Sequence, residues 1–105
     1  LIIIDECQFY EDLFSFVNNG INIDKKHFIC AGLNGDSDRK IFGKVYELLP
    51  IVDSIYFIKG KCECGKESLF SKRIINDSNQ ICIGDNTSYK PVCRDCYNLN
   101  NVNSW

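Results

Sequence analysis

Two sets of side chains in this sequence have the types and the spacing that chemistry requires. The first is the acidic pair Asp5-Glu6, which directly follows an aliphatic run at residues 1–4. Adjacent carboxylates are suited to holding a cation and to moving a proton. The second set is four cysteines in two close pairs, and thiolates in this number can enclose one soft metal ion. The pairs are Cys62-x-Cys64 and Cys93-x-x-Cys96.

The acidic pair is placed where a parallel sheet binds its ligands. Residues 1–4 are apolar without alternation, and three of them are β-branched, which is typical of a strand buried on both faces. Asp5 and Glu6 then fall at the carboxyl end of that strand. A Walker B strand has this arrangement, in which one acid serves a nucleotide-bound Mg²⁺ and its neighbour orients or deprotonates a nucleophile. The alternative is a core strand that runs into an acidic turn.

The cysteine spacing favours a closed tetrahedral zinc site. A zinc ribbon usually has Cys-x-x-Cys in both places, so the single-residue spacer after Cys62 demands a tighter turn and makes Cys62 the ligand that the pattern supports least. Disulfides or unrelated buried thiols are the alternatives. Disulfides fit poorly because seven cysteines is an odd number and nothing marks the chain as secreted. Cys7, Cys30 and Cys82 lie in or beside apolar strands and are expected to be small core residues.

Composition narrows the class of protein. The 105 residues are enough for one modest domain, with 45% hydrophobic and 25% charged residues as in ordinary globular proteins. The net charge of −2 and the absence of a Lys/Arg cluster argue against nucleic-acid binding. No apolar run approaches transmembrane length and no signal-peptide pattern occurs, so no membrane partner is expected. Free thiols and zinc usage indicate a soluble, reduced compartment, and we therefore expect a cytoplasmic protein.

The elements that position the acids alternate between strand and helix. Residues 11–20 predict a short helix that ends at Asn19-Gly20, and residues 21–26 an exposed turn. Residues 27–33 predict a second buried strand, and strand, helix and strand in this order predict a parallel pair. The polar loop at 34–40 should then lie at the same sheet edge as the acids, although its charge pattern alone favours a solvated turn. His27 is expected to be a surface or capping residue.

Further along, residues 44–49 predict a short helix that stops near Pro50, and residues 54–58 a third strand. Between the two cysteine pairs, residues 71–75 and 81–83 predict a hairpin joined by a turn at 76–80.

Taken together, the motifs resemble type II thymidine kinases in family order over nearly the whole chain. The resemblance rests on Asp-Glu-Cys-Gln-Phe at 5–9, Ala-Gly-Leu-Asn-Gly at 31–35, Arg-Lys-Ile-Phe-Gly at 39–43, Ser-Lys-Arg at 71–73, and Ile83-Gly84 through Tyr89 to Cys-Arg-Asp-Cys-Tyr at 93–97. The P-loop pattern of that family does not occur in residues 1–105. Because the sequence opens inside a strand that needs neighbours, we expect it to be the C-terminal part of a longer protein.

The resemblance implies an α/β fold in two parts. Residues 1–60 would be the C-terminal part of a P-loop NTPase-like parallel sheet, which binds the nucleotide. Residues 61–97 would form a small zinc-ribbon subdomain with a lasso loop, and residues 98–105 a polar tail. The zinc would be structural and would hold both ends of the lasso loop.

The resemblance also implies an activity, the ATP-dependent phosphorylation of the thymidine 5′-hydroxyl to give dTMP, a salvage step for DNA synthesis. Glu6 would be the catalytic base, and Asp5 would assist Mg²⁺ through water. Cys7 and Gln8 belong to the same nucleotide-binding strand end, with Cys7 in place of the small residue usual there. Without a P-loop, the isolated 105 residues are expected to be inactive.

Substrate contacts are implied in three groups. Phe9, Leu33 and Phe42 would form apolar walls around thymine, with plain core packing as the alternative. Ser37, Ser71 and Tyr89 would lie near the substrate, although Ser37 stands where the family often carries an aromatic residue. The lasso loop would read the base largely with main-chain groups, and its residues begin with Gln80, Ile81, Cys82, Ile83 and Gly84.

The implied partners are ATP and thymidine, with dTTP as a feedback inhibitor and a homotetramer as the assembly. Two other classes of protein remain open. One is a different P-loop ATPase, such as a helicase-like motor, that uses the same acidic strand. The other is a non-catalytic zinc-ribbon binding module in which residues 1–60 are scaffold.

Overall fold

The structure is a computed structural model that describes residues 1–74 and 89–99. Its elements in chain order are β1 (Ile2–Ile4), a 3-10 helix (Cys7–Phe9), α1 (Leu13–Asn22), β2 (Phe28–Cys30), a second 3-10 helix (Val45–Ile51), β3 (Phe70–Arg73), β4 (Tyr89–Val92) and α2 (Arg94–Leu99). The chain divides into two compact units. The first holds Leu1–Gly35 and Ile41–Tyr56, and the second holds Asp36–Lys40 and the described residues from Phe57 onward. The sequence-based domain limits stay a prediction.

The first unit is built on the predicted parallel pair, which the structure confirms. β1 runs parallel to β2 with Ile3 opposite Ile29. One face of the pair packs against a core of Cys7, Leu13, Val17 and Leu48. On the other face Ile3 is 66% and Ile29 54% exposed. The prediction of burial on both faces is therefore wrong for the described residues, because α1 covers one face and nothing described covers the other.

Helix α1 begins at Leu13 and is displaced toward the C-terminus relative to its predicted span of residues 11–20. It continues to Asn22, through the Asn-Gly pair expected to end it. Gly20 is buried against the ring of Phe28, and a Cβ atom at Gly20 would lie 2.4 Å from Cζ of that ring. This glycine therefore serves close packing between α1 and β2 rather than a helix C-cap, so the predicted helix end was wrong. The predicted exposed turn is present but begins at Ile23, after α1 ends at Asn22.

The segment after the polar loop also departs from prediction. Residues Val45–Ile51 form a 3-10 helix that includes Pro50, one residue beyond the predicted stop. The predicted third strand at 54–58 is absent from the described part of the chain, and Ile58 there is 96% exposed. A strand needs a neighbour to pair its backbone groups, and no described strand lies beside this segment. His27 is exposed, as predicted.

The second unit contains an antiparallel pair. β3 pairs with β4, with Phe70 opposite Val92. The predicted strand at 71–75 thus begins one residue early, while the predicted strand at 81–83 and the turn at 76–80 lie outside the described residues. Val92 and Tyr97 form the core together with two cysteines, Cys62 and Cys93. Among the described helices, none has the length and apolar character needed to cross a bilayer.

Candidate functional site

The acidic pair stands at the carboxyl end of β1, as predicted, with both residues exposed. Glu6 has φ 53° and ψ 43°, a left-handed conformation that is uncommon for a residue other than glycine. Its N–H donates to Oδ1 of Asp5 at 2.9 Å. Such conformations cost about 1–3 kcal/mol and cluster at functional sites. The turn at Glu6 leads the chain directly into the 3-10 helix Cys7–Phe9.

Gln8 holds the Glu6 carboxylate in place. Its side-chain amide donates from Nε2 to Oε2 of Glu6 at 2.8 Å. Its other end is fixed because Oε1 accepts the N–H of Leu33 at 3.1 Å. Gln8 is only 4% exposed, so both bonds are made by a buried amide with little freedom to rotate. Sequence reasoning put Gln8 near the nucleotide and missed this role, although an amide two residues after a glutamate was a usable signal.

Two glycines allow the chain to close around Gln8. A Cβ atom at Gly43 would lie 2.1 Å from the carbonyl oxygen of Gln8, and Gly43 has φ +62°. A Cβ atom at Gly32 would lie 2.6 Å from Sγ of Cys7 and 2.8 Å from Oε1 of Gln8. These contacts leave no room for a larger residue. The position of Gln8, and through it that of Glu6, is therefore built into the backbone.

The three predicted apolar wall residues differ in burial. Phe9 and Phe42 meet edge to face, with ring centroids 5.6 Å apart. Phe42 is 8% exposed and fits the core-packing alternative. Phe9 and Leu33 are 48% and 49% exposed, so half of each side chain has surface to offer a ligand.

Cys7 and Cys30 belong to the first unit's interior. Cys7 is 1% exposed, and its N–H donates to the carbonyl of Ala31 at 2.9 Å. Burial, followed by the neighbouring Cys30 thiol, raises the pKa of Cys7, and burial raises the pKa of Cys30. Both are the small core residues that the sequence predicts. A part for Cys7 in nucleotide binding stays a prediction, and Cys82 lies outside the described residues.

The polar loop is ordered by its own first acid. Oδ1 of Asp36 accepts the N–H groups of Asp38 and Lys40, each at 2.9 Å. Asp36 and Ser37 are 9% and 8% exposed. Most of the other loop residues are exposed, so the solvated turn describes the loop except at these two positions. The carbonyl of Ser37 accepts the hydroxyl of Tyr97, within the second unit.

Four cysteines meet in the second unit. The Sγ atoms all lie within 4.8 Å of one another, and those of Cys64 and Cys93 are 3.6 Å apart. A tetrahedral zinc site with Zn–S bonds of about 2.3 Å has its sulfurs about 3.8 Å apart, so the cluster fits zinc. The residues are Cys62, Cys64, Cys93 and Cys96.

Tight turns bring each cysteine pair together. The N–H of Cys62 donates to the carbonyl of Lys66 at 2.8 Å, and the N–H of Gly65 returns to Cys62 at 2.9 Å. Gly65 has φ +96°, which supplies the sharper turn that the one-residue spacer requires. In the other pair, the N–H of Cys96 donates to Sγ of Cys93 at 3.4 Å. Cys62 therefore joins the cluster despite its unusual spacing.

The electrostatics of the cluster suit a thiolate site. The backbone N–H groups of Cys64 and then Cys93 lower the pKa of the Cys62 thiol to about 6. The neighbouring thiols, Cys62 first, raise the pKa of Cys96 to about 12. The Cys62 thiol thus ionises readily, whereas Cys96 retains its proton, which a bound cation would displace.

The remaining predicted substrate contacts lie on or beyond the antiparallel pair. Ser71 is in β3 and Tyr89 in β4, and both are half-buried. The Tyr89 hydroxyl accepts a hydrogen bond from Nη2 of Arg73 at 3.2 Å. The predicted lasso residues Gln80, Ile81, Cys82, Ile83 and Gly84 lie outside the described residues.

The parallel pair with its acidic strand end and the four-cysteine unit define an α/β protein with a cluster that fits a zinc ribbon. The family model for thymidine kinase matches residues 1–97. This chain therefore belongs to the thymidine kinase family.

Named relatives agree with the family model. The chain is 40% identical to thymidine kinase a of Arabidopsis thaliana over 100 residues, which is 94% of this chain and 42% of that protein. It is 43% identical to the thymidine kinase of Amsacta moorei entomopoxvirus over 101 residues, 93% of this chain and 55% of the relative. The thymidine kinase of Sheeppox virus is 39% identical over 94% of this chain and 56% of its own length. The chain thus spans about half the length of the relatives it matches.

Proposed function

We propose that the protein containing this chain is a thymidine kinase that transfers a phosphoryl group from ATP to the 5′-hydroxyl of thymidine and yields dTMP. The observation that carries the proposal is the Glu6 carboxylate at the end of β1, held by the buried amide of Gln8. Membership of the thymidine kinase family supports it. A helicase-like motor would need a basic path for nucleic acid, and the sequence has no Lys/Arg cluster to form one. A zinc-binding module would not need the hydrogen bonds that fix the Glu6 carboxylate.

Glu6 would accept the proton of the 5′-hydroxyl as that oxygen attacks phosphorus. Gln8 keeps one carboxylate oxygen occupied at 2.8 Å, which fixes the direction of the other. Asp5, exposed beside it, offers the oxygen ligands that Mg²⁺ prefers, through water. Mg²⁺ bound with ATP would neutralise phosphate charge. Catalysis otherwise rests on holding the reacting groups in place.

Thymidine recognition is proposed to use apolar and hydroxyl-bearing side chains. The exposed halves of Phe9 and Leu33 support a role against the base, with Phe42 behind Phe9. Ser37, Ser71 and Tyr89 are retained as proposed contacts, as are the lasso residues beginning at Gln80.

The remaining proposals concern the whole protein. We propose a P-loop NTPase-like sheet with the domain limits given above, a structural zinc ion in the four-cysteine cluster, a homotetramer, inhibition by dTTP and a cytoplasmic setting. The geometry of the four thiols supports the zinc site. Residues 1–105 contain no P-loop pattern, so the isolated segment is expected to lack activity.

The proposal is tested by Glu6→Gln in the full-length protein. Loss of a general base costs about 10²–10⁴-fold in rate, and we expect kcat for thymidine phosphorylation to fall by that amount with zinc content unchanged. Glu11→Gln is the matched control, because Glu11 is an exposed glutamate whose partner is Lys44. Equal activity of wild type and Glu6→Gln would remove Glu6 as the base. A zinc-loaded protein that leaves thymidine unchanged would favour the binding module.

A further inference from the structure

Within the second unit, the loop 36–40 contacts α2, the helix that contains Cys96. The side chain of Arg39 lies over the ring of Tyr97, with Cζ 4.2 Å from the ring centroid. The same guanidinium is 5.3 Å from the ring centroid of Phe70 in β3. The Tyr97 hydroxyl also donates to the carbonyl of Ser37. Two independent contacts thus hold five residues of loop to one aromatic residue.

Hydrogen bonds within the loop 36–40 also fix its conformation. Asp36 accepts two backbone N–H groups through one carboxylate oxygen, and its own N–H donates to the carbonyl of Lys40 at 2.8 Å. Arg39 has φ +62°, a conformation that costs free energy for a residue with a Cβ atom. In that conformation its side chain lies over the ring of Tyr97.

Tyr97 is in turn fixed by the cysteine turn. It follows Cys96 directly, and its N–H donates to the carbonyl of Cys93 at 2.9 Å. The N–H of Cys96 bonds Sγ of Cys93. The position of the Tyr97 ring therefore depends on the two cysteines closing their turn, which a bound metal ion would enforce.

We propose that Arg39 and Tyr97 are positioning residues that couple the four-cysteine site to the loop 36–40, and that this coupling sets the affinity for thymidine through that loop. The second half rests on the proposed function, because Ser37 is a proposed substrate contact. Zinc in this family member would then affect the loop 36–40 as well as the stability of the four-cysteine unit. Without zinc the ring of Tyr97 would lose its fixed position, and the loop would lose its contacts with that ring.

Three variants of the full-length protein separate the contacts. Tyr97→Phe removes the hydroxyl and keeps the ring, and Arg39→Lys keeps the charge and removes the planar stacking group. Arg94→Lys is the control, because Arg94 also lies over Phe70, at 4.9 Å, but is not in the loop. Each variant is examined with zinc bound, and zinc content is measured.

The first readout is amide hydrogen exchange of the peptide spanning 34–41, which needs no activity. We expect zinc removal by a chelator to speed exchange at Asp38 and Lys40 in wild type. Tyr97→Phe and Arg39→Lys should speed the same amides with zinc still bound, while Arg94→Lys should not. Wild-type exchange rates in both loop variants, or a peptide insensitive to zinc removal, would overturn the coupling.

The second readout separates this inference from the activity on which part of it rests. Loss of one neutral hydrogen bond corresponds to about a threefold to tenfold change in binding, so the KM for thymidine should rise by that factor in Tyr97→Phe while kcat is held. If exchange quickens but the KM is unchanged, the loop is coupled to the metal site and is not a substrate loop. If wild type does not phosphorylate thymidine, the proposed function fails and the exchange result still decides the coupling.

Discussion

The two units hold their candidate sites by different physical means. In the first unit, Glu6 is fixed by its backbone conformation and by the buried amide of Gln8. Two glycines let the chain approach Gln8 closely. In the second unit, two tight turns gather four thiols, and two of the four residues in the described hydrophobic core are cysteines. Backbone conformation and buried hydrogen bonds fix the first site, whereas the second is a cluster of thiols that fits a metal ion. The first site should thus be sensitive to substitutions that change its packing, and the second site to a metal chelator.

The largest expected effect is loss of the second unit's structure on zinc removal. The described hydrophobic core of this unit consists of Cys62, Val92, Cys93 and Tyr97, so we expect the folding of the described part of the unit to depend on a bound metal ion. We expect Cys93→Ser in the full-length protein to abolish zinc binding and to speed hydrogen exchange across β3, β4 and α2. Cys30→Ser is the control, since Cys30 lies outside the cluster. Retention of zinc in Cys93→Ser would contradict the assignment.

A glycine from each unit provides the next comparison. Both Gly43 and Gly65 have positive φ, but a Cβ atom at Gly43 would meet the backbone of Gln8 at 2.1 Å while one at Gly65 would meet nothing within 4 Å. Gly43→Ala should lower the free energy of unfolding by about 2–4 kcal/mol, from strain plus a clash that backbone cannot relieve. Gly65→Ala should cost about 1 kcal/mol, from conformation alone. Denaturant unfolding measures both, and equal losses would mean that the first unit is not built by close approach.

A smaller effect is expected at Gln8. Gln8→Met keeps the length of the side chain and removes both of its hydrogen bonds. The variant therefore retains Glu6 but no longer holds its carboxylate in place. Loss of a hydrogen bond to a charged group is worth about 1.5–3 kcal/mol, and we expect kcat to fall by about tenfold to a hundredfold. The KM for ATP distinguishes the roles, because it should hold if Gln8 positions Glu6 and rise if Gln8 binds nucleotide.

The smallest effect is expected at the surface of the second unit. Lys66 and Asp95 form an ion pair at 2.9 Å, and their side chains are 65% and 80% exposed. Solvent and salt screen such pairs. Lys66→Gln should leave the midpoint of thermal unfolding and the zinc content unchanged. A clear loss of either would show that charge, as well as metal, holds this unit together.

Much of the framework was predictable because local patterns carry it. The parallel pair followed from strand, helix and strand in sequence, and the meeting of the four cysteines followed from their spacing. The failures share a cause. Helix α1 passes through Gly20 because Phe28 packs there, and residues 54–58 form no strand because no described strand pairs with them. In each case the outcome depended on packing or strand pairing between elements, which the local sequence pattern does not contain.

What the sequence by itself determined was which chemical groups are present and how they are spaced. An acidic pair after an aliphatic run predicted a carboxylate at the end of a strand, because the direction of a strand is a local property. Four cysteines in two close pairs predicted a metal site of thiolates, because short spacing lets both cysteines of a pair reach one ion. Tertiary structure decided how those groups are held. The amide of Gln8 reaches Glu6 while Leu33, 25 residues away, fixes its other end, and Tyr97 reaches Ser37 across 60 residues. The contacts with Leu33 and Ser37 join a side chain to a backbone group far away in the sequence, so no local pattern predicts them and only folding brings the groups together.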